Sequence, residues 1–172
     1  MKAELTKAMT ALAQDPKMRF VGYGLKRNGA GGTLAGVPTE QIVETTVAEN
    51  MMTGLAIGLS LKGYKPLVFF ERFDFILNAL DAIVNHLDKL EQLSDGQFKP
   101  ACIFRVVVGN KTKPRFTGPT HTQDFSEAIS RMVSFPVFRV LHADEIADIY
   151  AAAKEHLDLG HSTMIVEKKD LY

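Results

Sequence analysis

Short runs of β-branched and aromatic residues alternate with segments of helical period along this chain, and that alternation leaves the fold little freedom. Apolar Leu5, Met9 and Leu12 stand at helical spacing in residues 2–13, which end near Asp15-Pro16, a stop signal. RFVGY (19–23) reads as a buried strand, residues 41–46 as a second, and residues 49–62 as a helix closed by Gly63. PLVFF (66–70) is a third strand, and apolar Ile76, Leu80, Ile83, Leu87 and Leu90 predict one long helix over 74–93. ACIFRVVV (101–108) is the clearest buried strand. A basic loop over 110–120 precedes a helix capped by Asp124, followed by a strand at 137–140, a helix at 144–157 and a strand at 163–167. Such a pattern predicts an α/β three-layer sandwich, with a mostly parallel central sheet of about six strands and helices on both faces. Residues 1–172 then form one domain. Ligands of such sheets lie beyond the carboxyl ends of the strands, which singles out loops 24–40, 46–50, 71–75 and 109–123.

Composition excludes several classes of function. With 20 Lys+Arg against 20 Asp+Glu, there is no general attraction to nucleic acid or anionic lipid. A lone cysteine, Cys102, excludes a disulfide framework and fits a reducing, cytoplasmic setting. The polar, amphipathic start does not read as a signal peptide, and no apolar run approaches the roughly 18 residues of a membrane span. No histidine pair has zinc-ligand spacing, so no metal site is expected from this chain alone. There is no GxxxxGK[ST], and the glycine-rich stretch 24–36 does not open a helix as a dinucleotide fingerprint should.

Several residues could carry chemistry. Between Met51 and Leu61 only Thr53 and Ser60 are polar, so this helix must be covered on nearly all sides, within its own domain or across a subunit contact. Gly54 and Gly58 on one face would let a second helix approach closely. Glu49 heads the helix. An acid in a first turn ordinarily compensates the helix dipole, but among Val47, Ala48, Met51 and Met52 it should ionise reluctantly and could keep a proton for a ligand. Phe73 and Phe75 flank Asp74, which is placed to cap the following helix; the rings serve either the core or a ligand platform. His121, in GPTHTQD, is expected to be exposed and able to titrate near neutral pH. His86, His142, His156 and His161 read as surface residues. Lys111, Lys113 and Arg115 are either a solvated loop or an attractor for an anionic substrate.

Taken together, these segments resemble the pyrimidine-binding domain of thiamine-diphosphate enzymes of the transketolase-like superfamily. They resemble above all the beta subunit of 2-oxoacid dehydrogenase decarboxylating components of the pyruvate or branched-chain type. The resemblance runs from RFVGYG to IVEKKDLY. It includes the ungapped block VAENMMTGLAIGLSLKGYKPLVFFERFDFILNALDAIVNHLDKLEQLSDGQF and the histidine loop GPTHTQDFSEAI. It implies that Glu49 hydrogen-bonds the cofactor's aminopyrimidine and promotes the tautomer that deprotonates the thiazolium carbon. It also implies that Phe75 lies against the pyrimidine, that Val47 makes an apolar contact with the same ring, and that His121 faces the substrate or reacting intermediate. Nothing here resembles the GDG…N segment that holds magnesium and diphosphate, and the family's beta subunits continue into a C-terminal domain absent from this chain. The resemblance therefore implies half an active site. A diphosphate-binding, alpha-type partner would complete a heterotetramer, self-associating through the apolar helix 49–62, with a lipoyl acyltransferase as a further partner. The expected reaction is decarboxylation of a 2-oxo acid with acyl transfer to lipoyl. Transketolase-type two-carbon transfer, or a non-catalytic assembly or regulatory role, are the alternatives.

Overall fold

A computed structural model describes residues 1–112 and 118–171. Six strands form one parallel sheet: β1 (Met18–Tyr23), β2 (Ile42–Thr45), β3 (Lys65–Phe70), β4 (Ile103–Val108), β5 (Val137–Arg139) and β6 (Thr163–Lys168), in the order β2-β1-β3-β4-β6-β5. Helices α1 (Lys2–Leu12), α2 (Leu25–Gly32), α3 (Glu49–Leu61), α4 (Leu90–Leu93), α5 (Ser126–Ser130) and α6 (Ile146–Asp158) connect or flank them. Alternate strand residues feed two cores. Phe20, Leu67, Ile103 and Ile165 face α1 and α6, whereas Val21, Val68, Phe104 and Val166 pack on the α3 side. Burial on both faces explains why β3 and β4 read as nearly continuous apolar runs.

The long helix expected over 74–93 is broken. Phe73–Ala79 is a 3₁₀ helix, Ala82–Leu87 a π-helical turn, and only Leu90–Leu93 an α-helix. Phe73, Ile76 and Ala79 are fully buried at a spacing of three, the period of a 3₁₀ helix, and so turn one narrow stripe to the core. The Asp88 N–H bonds back to the Ile83 carbonyl at 3.0 Å, closing the wider turn. The cap assigned to Asp74 is corrected as well: the residue lies inside the 3₁₀ segment, buried, and accepts hydrogen bonds from Gln123. Asp124 does accept from the Ser126 N–H (3.0 Å) and hydroxyl (2.6 Å) at the start of α5.

The glycine-rich segment also differs from expectation, because it does open a helix. After Gly24 (φ 66°), α2 starts and then turns left-handed at Gly29, Ala30 and Gly31, two of them glycines that adopt positive φ without strain. Two N–H groups at its start are already satisfied. Gly24 and Lys26 donate to the Glu44 carboxylate, the latter at 2.7 Å, so the segment is not a phosphate cradle.

An ionic cluster pins the amino-terminal edge. Lys65 at the start of β3 contacts Asp15 (2.6 Å) and Asp158 (2.8 Å), and Lys154 of α6 reaches the same two carboxylates. Burial alone would push the Asp15 carboxyl up, but hydrogen bonds from Lys65, the Lys17 N–H and Lys154 outweigh it and hold it at about 2. A depressed carboxyl stabilises the fold above its unfolded value, and that contribution is lost as pH falls toward about 2. Solvent screening leaves it worth about 1 kcal/mol. Asp15→Asn should therefore lower the melting temperature by a few degrees at neutral pH, and the difference from wild type should vanish in melts at about pH 2. A constant difference across that range would refute the assignment.

Candidate active site

Three loops converge beyond the carboxyl ends of the strands. From β1 the chain passes to β2 on one side, and α3 then carries it across to β3 on the other, so the order reverses between β1 and β3. Open α/β sheets bind ligands at such switch points. Val47 and Glu49 follow β2, Phe75 and Asn78 follow β3, and His121 follows β4.

Glu49 is the first residue of α3, and its side chain is 4% exposed. Met52, Thr53 and Ala56 are buried behind it, with the Thr53 hydroxyl donating to the Glu49 carbonyl at 3.1 Å. Among the described residues, the carboxylate has one side-chain hydrogen-bond neighbour, Asn78 Nδ2, at a long 3.5 Å. This carboxyl is thus shielded from water yet holds bonding capacity in reserve. Phe75 is half-buried, and its ring meets the His121 imidazole edge to face, with centroids 5.3 Å apart. His121 Nδ1 lies 3.0 Å from the Thr120 hydroxyl. Val47 is 66% exposed in the loop before α3. The 3₁₀ segment links these groups, Asn78 reaching Glu49 and Phe75 reaching His121.

Three neighbours went unread in the sequence. Burial, then the charges of Glu71 and Glu49, push the Tyr23 phenol above its ordinary pKa, with nearby Arg72 acting in the opposite sense. Glu71 and Arg72 pair at 3.6 Å. Tyr23 ends β1, and Glu71 follows β3 beside it in the sheet. The sequence signal was an acid and a base directly after PLVFF, in a loop already singled out. Of the basic trio, Lys111 is exposed, while Lys113 and Arg115 lie outside the described residues. His156 and His161 line a cleft of about 280 Å³ with Asp88 and Ser162, at the opposite edge of the sheet. Among the described residues no cluster of histidine, cysteine and carboxylate side chains could hold a metal ion, and no helix is long and apolar enough to cross a membrane. Cys102 is buried, and burial pushes its thiol up, away from reactivity.

The parallel sheet between helical layers matches a transketolase-like fold. A solved split-gene transketolase, described as an inactive beta4 tetramer, superimposes with a TM-score of 0.74 over 97% of this chain and 50% of its own, at 19% identity. Sequence places the chain more narrowly. It is 33% identical over 132 residues (77% of this chain, 34% of the relative) to the mitochondrial pyruvate dehydrogenase E1 component subunit beta of Saccharomyces cerevisiae. The corresponding subunit of Rickettsia conorii is 28% identical over 114 residues, covering 66% of this chain and 34% of the relative. That of Dictyostelium discoideum is 25% identical over 166 residues, covering 94% and 45%. No family model matches the chain. The chain is a relative of the pyruvate dehydrogenase E1 beta subunits, and it spans between a third and a half of their length.

Proposed function

We propose that this chain is the pyrimidine-domain subunit of a split thiamine-diphosphate enzyme of the 2-oxoacid dehydrogenase type, active only with an alpha-type partner. The observation that carries this reading is Glu49: a carboxyl group almost out of water, at the head of an apolar helix and with spare bonding capacity. It fits a heteroaromatic amine that shares a proton with it. When bound, thiamine diphosphate supplies the carbon nucleophile that cleaves the bond beside a 2-oxo group. The chain's own residues bind and orient it. Glu49, only 4% exposed, holds or releases a proton at the aminopyrimidine nitrogen. Phe75 and Val47 supply apolar contact to the ring, and His121 presents an imidazole that can hold or move a proton on the substrate side. Magnesium and the diphosphate belong to the partner in this reading, and a lipoyl acyltransferase takes the acyl group.

The test is turnover by the co-expressed pair with thiamine diphosphate and a 2-oxo acid. The neighbouring fold, a split-gene transketolase, supports a second reading, two-carbon transfer from a ketose. Activity with a ketose donor but not with a 2-oxo acid would select it. A complex that forms yet turns over neither substrate would select the non-catalytic reading.

Self-association through α3 is part of the proposal. Met51, Gly54, Gly58 and Leu61 are exposed along one stripe, with Val47 at its head. A β-carbon added at Gly54 or Gly58 would meet nothing within 4 Å, so the chain's own packing does not require either glycine. A second α3 approaching closely would require both. The beta4 tetramer of the split transketolase supports assembly of like chains. Gly54→Leu and Gly58→Leu should leave the fold intact and reduce the mass measured by analytical ultracentrifugation to that of the monomer. Retention of the wild-type mass would refute this contact.

A further inference from the structure

Asp74 is unfavourable where it stands unless its bonds do something an apolar residue could not. Its side chain is 6% exposed, and among the described residues Oδ2 has no hydrogen-bond partner. Both bonds that offset this burial come from one residue: Gln123 donates to Oδ1 through its backbone N–H at 3.2 Å and through Nε2 at 2.9 Å. Those donors stand two positions after His121, and the acceptor stands one position before Phe75. On one side, Phe73 and Ile76 anchor the 3₁₀ segment in the core. On the other, the turn carrying His121 is held by local contacts, the Thr122 hydroxyl donating to the Gly118 carbonyl at 3.3 Å and the Thr120 hydroxyl lying 3.0 Å from His121 Nδ1. Further along, Phe125 packs edge to face on Phe73, 6.0 Å between centroids.

We propose that Asp74 is a positioning residue. By gripping Gln123 twice, its carboxylate ties the His121 turn to the 3₁₀ segment and fixes the edge-to-face approach of His121 to Phe75. Its importance for catalysis rests on the proposed function above, but the geometry it asserts does not.

The experiment is proton–carbon NMR of the histidine rings in the full chain, with Phe75→Leu identifying the ring-current shift that Phe75 imposes on His121. Asp74→Asn keeps an oxygen able to accept both N–H groups and should retain that shift. Asp74→Ala should lose it. Gln123→Ala, at an exposed side chain, should lose part of it and decides the matter where Asp74→Ala fails to fold. Wild-type His121 resonances in both alanine variants would overturn the proposal. Turnover of the assembled complex separates the two layers. Loss of the shift with lost turnover that Asp74→Asn restores supports both. Loss of the shift with unchanged turnover supports the tie and overturns the role given to His121.

Discussion

Glu49→Gln is expected to lower turnover of the assembled complex by roughly 10²–10⁴-fold or more while leaving the chain folded. The substitution keeps the size of a side chain that is 4% exposed, and it keeps an oxygen to face Asn78. The backbone carbonyl of residue 49, which accepts from Thr53, is untouched. The fold therefore loses little. What disappears is the acidic proton, since an amide cannot share one with a ring nitrogen. Steady-state rates of the complex, beside thermal melts of the isolated chain, separate the two effects. Wild-type turnover in the variant would remove Glu49 from the mechanism.

The second large effect is one of stability. Arg105, 1% exposed in the middle of β4, reaches Glu167 on β6 through two bonds of 3.0 and 3.1 Å. Its third nitrogen donates to the Thr33 hydroxyl at 2.8 Å, the Tyr150 hydroxyl donates to Glu167 at 2.6 Å, and the guanidinium lies 5.0 Å from the Phe69 ring centre. Thr33 in turn donates to the Ala30 carbonyl in the left-handed turn, so one buried pair braces two strands, α6 and the glycine-rich segment. Removing the Glu167 carboxylate takes both of these bonds from a guanidinium held in the core. Glu167→Ala should therefore cost about 3–5 kcal/mol, a large part of the 5–15 kcal/mol typical of a domain, and lower the melting temperature by roughly 10 °C. Arg105→Met combined with Glu167→Leu should recover much of that loss. A loss below about 1 kcal/mol for Glu167→Ala, read from the denaturation midpoint at unchanged slope, would contradict this account.

The same pair shows where sequence reading stops. The strand IFRVVV was legible as buried because five of its six residues are apolar, but the charge of Arg105 acquires a meaning only through a partner 62 positions away. Asp74 was misread for the same reason. An acid before a helical stretch suggests a cap, whereas its true partner, Gln123, is 49 positions distant. The 3₁₀ segment, by contrast, is written locally in Phe73, Ile76 and Ala79, but a spacing of three also fits the period of an ordinary helix. The parallel sheet followed from the alternation of strands and helices, though its order did not. That order brings the ends of β1 and β3 side by side, and with them Tyr23 and Glu71 into the field around Glu49. Glu49, Phe75, Val47 and His121 were named through a family resemblance. Within the chain alone, only its apolar neighbours set Glu49 apart from an acid that merely faces a helix dipole.

The central claim, half of a divided active site, is tested most directly by purifying the tagged chain from its native host and identifying what accompanies it by mass spectrometry. A stoichiometric partner with a GDG…N segment is expected, in a complex that retains thiamine diphosphate. A chain that returns alone or only with itself would contradict it.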